Sequence, residues 1–204
     1  MHRLAPVLLL CFVVAVFPAS AEESLEAFVK IKSDEILTLV NDGRGGFEAD
    51  PGPLYAQMGT VLDGLVDFEI LTRGIMGKHY KSATEAQRVA FQQALRVYLT
   101  EIYTKALVKF KSKSIEILPL EKAPTSKATI SMEVTTQDNA TFLLAYSMAK
   151  TGSAWLVRNI VVDGINMGLT YRSQFDSMMI SNNNDIDAVI ENWAMAADAE
   201  ELAN

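Results

Sequence analysis

The sequence is short of the residues that support most nucleophilic and metal-dependent chemistry. Its 204 residues include one cysteine and two histidines, which stand at Cys11, His2 and His79. A zinc site built on histidines needs several imidazoles, and a cysteine enzyme needs a thiol beside a histidine. The chain also lacks the G-x-S-x-G motif of many serine hydrolases. These absences count against all three classes of enzyme.

The acidic residues offer no clear catalytic arrangement either. Carboxylates stand close together at Asp63/Asp67 and at Asp67/Glu69, but such pairs are common on solvated helix faces. A general acid and base would also need nearby groups to orient a substrate. His79 could titrate near neutral pH, although its position suits a surface or helix-capping role. We therefore expect no enzyme, no metal and no resident cofactor.

The first residues predict a secretory signal peptide. Arg3 supplies a positive charge, Val7–Phe17 is an apolar run, and Ala19-Ser20-Ala21 fits a cleavage site. The apolar run is about half as long as a helix that spans a bilayer, so a retained anchor is disfavoured. Cys11 lies within this run and would leave with it. The alternative is an uncleaved N-terminal helix.

Removal of residues 1–21 leaves an acidic chain of one domain. Arg3 is the only formally charged residue in the leader, so the net charge would change from −7 to −8. Such a balance argues against general nucleic-acid binding and against a polybasic membrane anchor. Residues 22–204 suffice for one domain with a substantial core.

Hydrophobic periodicity predicts helices followed by strands. An S-x-x-E capping box at Ser82–Glu85 is expected to begin the longest helix. The predicted helices are Glu22–Asn41, Leu54–Val66, Phe68–Met76, Glu85–Phe110, Thr170–Ser181 and Asp185–Ala197. Alternating apolar residues predict strands at Ser114–Leu120, Lys127–Gln137, Ala140–Lys150 and Ala154–Val162. This order indicates an α+β fold, in which N-terminal helices pack on a curved antiparallel four-stranded sheet and C-terminal helices close the chain.

Methionine is the one abundant residue type that hints at a ligand. Eight of the nine methionines follow the leader, and methionine adapts to irregular apolar spaces. A methionine-rich interior is also typical of an ordinary core. The residues by themselves therefore indicate a secreted α+β domain with, at most, an apolar pocket.

Two longer stretches carry a more specific signal. The first, from Gly77 to Phe91, reads GKHYKSATEAQRVAF and precedes the long helix. The second runs from Trp155 through Val162-Asp163-Gly164 to Tyr171 and Phe175. In this order they resemble the signature of the MlaC, or toluene-tolerance (Ttg2-type), family of periplasmic phospholipid-binding proteins. The resemblance extends over nearly the whole of residues 22–204.

The resemblance implies an NTF2-like/MlaC-like fold with a deep apolar pocket and a role in lipid transport. Members of the family carry phospholipid across the periplasm and maintain outer-membrane lipid asymmetry. The implied partners are an outer-membrane lipoprotein complex and an inner-membrane ABC transporter complex with its substrate-binding ring, for which the protein is an auxiliary component. Two alternatives stay open, namely carriage of another hydrophobic lipid such as a hopanoid, and an adaptor that binds no lipid.

Periodicity within that fold nominates residues for the lipid pocket, although each could equally be plain core. The nominated pocket residues are Phe68, Leu71, Ile75, Met76, Phe91, Leu95, Tyr98, Leu99, Ile102, Phe142, Leu144, Tyr146, Trp155, Val157, Val161, Met167 and Tyr171. Lys78, Lys81 and Arg88 surround the start of the long helix, where anions are favoured. We expect them to meet a lipid headgroup or an acidic partner, with a solvated face as the alternative.

Overall fold

Helices and strands form two layers in the computed structural model, which describes residues 24–110 and 112–199. The predicted signal peptide lies outside these residues. The helices within them are α1 (Leu25–Gly43), α2 (Gly52–Asp63), α3 (Phe68–Met76), α4 (Glu85–Lys109), α5 (Met167–Ser181) and α6 (Ile186–Ala199). A 3₁₀ turn, Gly77–Lys81, joins α3 to α4. The predicted order of six helices is confirmed, with ends that shift by a few residues.

Side chains at the first residues fix where several helices begin. Ser24 accepts a hydrogen bond from the backbone N–H of Ala27 at the start of α1. Asp67 does the same for Ile70 in α3, at 3.2 Å. Each cap satisfies one of the backbone donors that a helix N-terminus leaves without an intrahelical partner.

The predicted capping box of α4 is displaced by two residues. Thr84 is the N-cap: its hydroxyl accepts from the N–H of Gln87 at 3.2 Å, and the Gln87 side chain accepts from the N–H of Thr84 at 2.9 Å. Ser82 instead donates to the carbonyl of His79 within the preceding turn. The T-x-x-Q box and the S-x-x-E box overlap in sequence, and the 3₁₀ turn decides between them because Ser82 is the C-cap of that turn.

The sheet is an antiparallel meander with strand order β1-β2-β3-β4-β5. Its strands are β1 (Ser112–Ile117), β2 (Lys127–Thr136), β3 (Thr141–Thr151), β4 (Ala154–Val162) and β5 (Ile165–Asn166). The prediction of four strands is therefore wrong by one. The missing strand has two residues, which pair with Val162 and Val161. A pair this short has no periodicity to detect.

A β-bulge interrupts the pairing of β3 with β4. Ser147 lies opposite Asn159, but the next residue, Met148, lies opposite Val157, so Arg158 has no counterpart on β3. An extra residue changes the phase of the strand, and side chains beyond it alternate in the opposite sense. The direction of every side chain from Asn159 to Val162 depends on this one residue.

Two separate apolar clusters stabilise the layers. One lies among the helices and includes the fully buried side chains of Phe91, Phe175 and Trp193. The other joins the start of α1 to the sheet through Leu25, Ile130 and neighbouring residues. Both the α+β class and the antiparallel sheet are confirmed. Within residues 24–110 and 112–199, no helix is long and apolar enough to cross a membrane.

Replacing Thr84 by Ala is expected to lower the free energy of unfolding by about 1 kcal/mol, because α4 loses one arm of its capping box. The matched control is Ser82→Ala, which removes a hydroxyl from an exposed residue outside the helix and should change stability by less than about 0.5 kcal/mol. Urea denaturation followed by circular dichroism measures both. Equal effects of the two substitutions would contradict the assignment of Thr84 as the cap.

Candidate ligand-binding cavity

A cavity of about 370 Å³ lies between the helices and one face of the sheet. Its wall is formed by α1, α2, the segment between α2 and α3, α3, the second half of α4, the first four strands and the start of α5. This volume falls in the range of pockets that bind small molecules and cofactors. The cavity therefore has room for part of an organic ligand.

Paired residues on neighbouring strands build the sheet side of this wall. Ile115 lies opposite Val134, which in turn lies opposite Phe142. Leu144 pairs with Met132 on one side and with Val162 on the other. Residues directly opposite on antiparallel strands point to the same face, so these rows give a continuous apolar surface.

Ten of the nominated residues lie on the cavity wall. They come from α3, α4, β3, β4 and α5: Phe68, Leu71, Ile75, Leu99, Phe142, Leu144, Tyr146, Val157, Met167 and Tyr171. These ten residues are in a position to contact a ligand, and their contact with lipid stays a prediction.

Five nominated residues lie in or against the helical core and not on the cavity wall: Met76, Phe91, Leu95, Tyr98 and Ile102. The α4 members form a stripe that turns towards α5 and α6. The Phe91 ring lies 4.8 Å from that of Phe175 and 5.2 Å from that of Trp193, both edge to face. Aromatic side chains of α5 and α6 therefore pack against this stripe.

Two nominated residues on β4, Trp155 and Val161, also lie off the wall. Trp155 packs in the sheet core, where the Lys150 ammonium lies 5.4 Å from the ring centre. Val161 was predicted by simple alternation from Val157. The bulge at Arg158 reverses that alternation, so Ile160 and Val162 face the cavity instead.

Sequence reasoning nominated only Leu99 from a second stripe on α4 that lies on the cavity wall. Leu99, Tyr103, Ala106 and Phe110 follow helical spacing and all line the cavity. This periodicity was visible in the sequence, but nothing in it told which stripe faced the ligand. The other missed wall residues are Ser33, Ile36, Leu37, Met58, Leu62, Leu65, Val66, Leu107, Ile115, Met132, Val134, Asn159, Ile160, Val162 and Gly168.

Two of the three carboxylates considered for catalysis, Asp63 and Asp67, are held by other groups. Asp63 accepts two hydrogen bonds from the Arg96 guanidinium, at 2.5 and 2.6 Å. Asp67 caps α3 and also accepts from Arg158 Nε at 2.9 Å. Each carboxylate therefore connects two elements of the fold. Among residues 24–110 and 112–199, no three histidine, cysteine or acidic side chains are grouped so that they could hold a metal ion.

His79 joins the 3₁₀ turn to α5. Its Nε2 lies 2.7 Å from Oδ1 of Asp176, and the Lys78 ammonium lies 3.4 Å from the same oxygen. Burial tends to raise the pKa of Asp176, but the hydrogen bond to His79 and the charge of Lys78 outweigh it, so that this pKa is lowered. The His79 side chain is 13% exposed, so it links two elements of the fold and does not occupy the surface position expected for it.

The basic residues nominated for docking lie away from the cavity wall. Lys78 and Lys81 are exposed, and Arg88 lies over the Tyr80 ring with its Nε donating to the Tyr80 carbonyl at 3.0 Å. Along α4, Arg88 precedes Leu99, the first wall residue of the helix, by 11 residues, or about 16 Å. Contact of these cations with a lipid headgroup or with an acidic partner stays a prediction.

Comparison with known proteins identifies the family. A sequence description of the family named "MlaC protein" matches residues 30–195. The chain belongs to the MlaC family. It is 29% identical over 188 residues to the toluene tolerance protein ttg2D of Pseudomonas putida, which covers 91% of this chain and 87% of that protein. The predicted family membership is confirmed.

A solved structure supports the fold of this MlaC-family chain. The phospholipid-binding protein from Ralstonia solanacearum, solved in complex with a phospholipid, superposes with a TM-score of 0.72. The match covers 89% of this chain and 99% of that protein at 21% sequence identity. At this identity the likeness is evidence for the shared fold.

The MlaC-family cavity is apolar but contains a few hydrogen-bonding groups. Tyr103 on α4 and Tyr171 on α5 are hydrogen-bonded through their phenols, and burial raises the pKa of Tyr103. Burial also raises the pKa of Tyr146 on β3 to about 12, with a further contribution from the nearby Tyr103. Both phenols are therefore neutral donors at physiological pH.

The free energy of unfolding of the wild type is expected to fall at alkaline pH because Tyr146 titrates. Replacing Tyr146 by Phe should abolish this part of the pH dependence. The Tyr146 pKa is about 12 in the folded chain and about 10 when unfolded. Between these values the unfolded chain gives up the proton and the folded chain retains it. Tyr146 thus contributes on the order of 2 kcal/mol to the free energy of unfolding. This contribution is fully present below about pH 10 and is lost as the pH rises to about 12.

Urea denaturation of both proteins at pH 9 and pH 11 measures this contribution. The wild type should lose more stability than the Tyr146→Phe variant between the two pH values, because the other titrating groups are common to both. An identical loss in the two proteins would show that Tyr146 is not shielded as described.

Proposed function

We propose that this chain is a carrier of phospholipid. The observation that carries the proposal is the apolar cavity between helices and sheet, in a chain of the MlaC family whose structural neighbour from Ralstonia solanacearum holds a phospholipid. Carriage requires burial and release of the lipid and no covalent step. The arrangement of Asp63, Asp67 and His79 as links within the fold agrees with a role of this kind.

The need for such a carrier follows from the insolubility of acyl chains. Each methylene moved from water into an apolar site contributes about 0.8 kcal/mol, so two chains with about 30 methylenes account for on the order of 20 kcal/mol. A lipid does not leave a bilayer unassisted at a useful rate against this difference. A protein that covers part of the chains lowers the barrier and still permits release.

The composition of the wall suits a flexible hydrocarbon. Met58, Met132 and Met167 reach the cavity from α2, β2 and α5. Unbranched thioether side chains adjust to irregular shapes at little energetic cost. Because these three residues approach from different sides, the cavity can adapt to chains of different length or unsaturation.

The cellular role that we propose is a shuttle across the periplasm. The predicted signal peptide would deliver the chain there. Phospholipid would then be exchanged between an outer-membrane lipoprotein complex and the substrate-binding ring of an inner-membrane ABC transporter complex, which maintains outer-membrane lipid asymmetry. Lys78 and Lys81 project from the 3₁₀ turn as exposed cations, and with Arg88 they could meet an acidic surface on such a partner.

Lipid extraction tests the proposal directly. The protein is purified without detergent, extracted with organic solvent, and the extract is analysed by mass spectrometry. Phospholipid at a reproducible molar ratio is expected. Detection of a hopanoid in place of phospholipid would identify a different lipid as the cargo. A protein that is always empty, and that takes up no lipid from vesicles, would contradict carriage and favour an adaptor role.

A pair of adjacent substitutions tests whether the cavity holds the lipid. Leu144→Asp places a carboxylate on the cavity wall, where desolvation and loss of apolar contact are expected to reduce bound lipid at least about tenfold. Leu143→Asp is the matched control, because Leu143 is 46% exposed and points to the opposite face of β3. Extraction of both variants measures the lipid, and circular dichroism checks the fold. Equal lipid content in two folded variants would place the cargo elsewhere.

A further inference from the structure

Two exposed aliphatic side chains lie beside the cavity. Ile165 on β5 is 60% exposed, and Leu169 in the first turn of α5 is 56% exposed. We call these two residues the apolar rim. Single exposed aliphatic residues are common on protein surfaces, whereas neighbouring ones mark sites of interaction. The position of the apolar rim relative to the cavity therefore decides what it is for.

The apolar rim continues the cavity wall to the outside of the molecule. Ile165 lies opposite Val162 in the β4–β5 pair, and Val162 is a wall residue. Residues directly opposite on antiparallel strands point to the same face, so Ile165 extends the wall beyond the end of β4. Met167 and Gly168 also lie on the wall, and Leu169 is the next residue of the chain.

The cavity reaches the surface at the same end of the sheet. Among the wall residues that the structure describes, Ala106 alone is exposed. It lies one helical turn before Phe110, whose ring centre is 5.4 Å from that of Phe142 near the start of β3. Two residues further along β3, Leu144 pairs with Val162 at the end of β4. The opening beside Ala106 and the apolar rim are therefore at one end of the cavity.

The polar groups beside the apolar rim already have partners within the chain. Asp163 Oδ1 accepts from the N–H of Leu143 at 2.8 Å, and Asn166 Oδ1 accepts from the N–H of Leu169 at 3.1 Å. The Thr170 hydroxyl donates to the Asn166 carbonyl at 3.1 Å. Removing water from polar groups costs less when they are already hydrogen-bonded. The segment can thus approach an apolar surface without losing these bonds.

We propose that the apolar rim docks onto the lipid bilayer from which the cargo is taken. This inference rests on the proposed function and adds the surface across which lipid enters the cavity. Continuity with the wall carries it, because an acyl chain that crosses the rim passes from one apolar environment to another with little exposure to water. Two aliphatic side chains are too few for a stable protein interface, which uses about 20–30 residues a side.

The contact is apolar and short-lived, not electrostatic. The chain has a net charge of −7, so an anionic surface would not attract it. Even a whole acyl chain attached to a protein gives only reversible binding to a bilayer. Two side chains give weaker binding still, which suits a carrier that has to leave the bilayer with its cargo.

Uptake of lipid from vesicles of phosphatidylcholine, which has no net charge, tests the inference. Lipid-free protein is mixed with the vesicles and separated from them at timed intervals, and its lipid is measured by mass spectrometry. The Ile165→Asp/Leu169→Asp variant should take up lipid at least about tenfold more slowly than the wild type, because transfer of one large aliphatic side chain corresponds to a factor of about ten or more. The wild-type rate should be the same at about 0.1 M and about 1 M salt.

Ile180→Asp is the matched control. Ile180 belongs to the same helix as Leu169 and is 75% exposed, but it lies outside the cavity wall. This variant loses a more exposed aliphatic side chain and gains the same charge. It should keep the uptake rate of the wild type.

Binding of dihexanoyl phosphatidylcholine below its critical micelle concentration checks the cavity without a bilayer. The double variant should bind this monomeric lipid as tightly as the wild type, which also shows that it is folded. If it does not, Ile165→Trp decides, because brominated phosphatidylcholine vesicles should quench its added indole and leave that of Ile180→Trp unquenched. The native Trp155 and Trp193 are buried and give the same background in both variants.

The outcomes separate the inference from the proposed function. Equal uptake by the wild type and a folded double variant, an equal loss in Ile180→Asp, or an unquenched Ile165→Trp would each overturn docking through the apolar rim. A wild type that binds the monomeric lipid but takes none from vesicles would overturn docking onto a bilayer and leave lipid binding by the cavity intact. A wild type that binds neither would overturn both proposals.

Discussion

The structure depends on the attachment of the helical layer to the sheet at Val157. The segment between α2 and α3 follows the free edge of β4, where Val157 N–H donates to the Leu65 carbonyl at 2.8 Å and Asp67 N–H donates to the Val157 carbonyl at 2.9 Å. Arg158, the bulged residue, adds a hydrogen bond to the Asp67 carboxylate. These contacts cover an edge that would otherwise expose unpaired backbone groups. They also set the distance between the layers on one side of the cavity.

The cavity exists because each layer completes its own core. The first half of α4 is packed by the rings of α5 and α6, and the sheet is packed by the start of α1. The second half of α4 extends beyond the helical core, so its stripe from Leu99 to Phe110 faces the sheet across open space. One long helix thus serves both as core and as wall. Leu99 belongs to both, since it packs in the helical core and also lines the cavity.

Most of the architecture could be predicted from the sequence, and most of the pocket boundary could not. Helix and strand positions follow from local periodicity and caps, which is why α3 and β4 were predicted with the bounds that they have. The family signature then indicated the fold. Periodicity does not say which of two apolar stripes meets a ligand, so Leu95 was nominated beside Leu99. Nor does alternation reveal a bulge, which reversed the roles of Val161 and Val162. Both differences between the nominated residues and the cavity wall arise from tertiary packing and strand pairing, which local periodicity does not encode.

An open cavity of this kind couples stability to cargo. Interiors are normally packed to high density, and apolar side chains that face a void lose the contacts that would stabilise them. A lipid that fills the space restores those contacts, and any ligand that binds only the folded chain adds to its stability in proportion to the logarithm of its concentration. The attachment at Val157 and the two closed cores do not depend on a ligand. Under the proposed function, they would allow lipid to be released without unfolding of the chain.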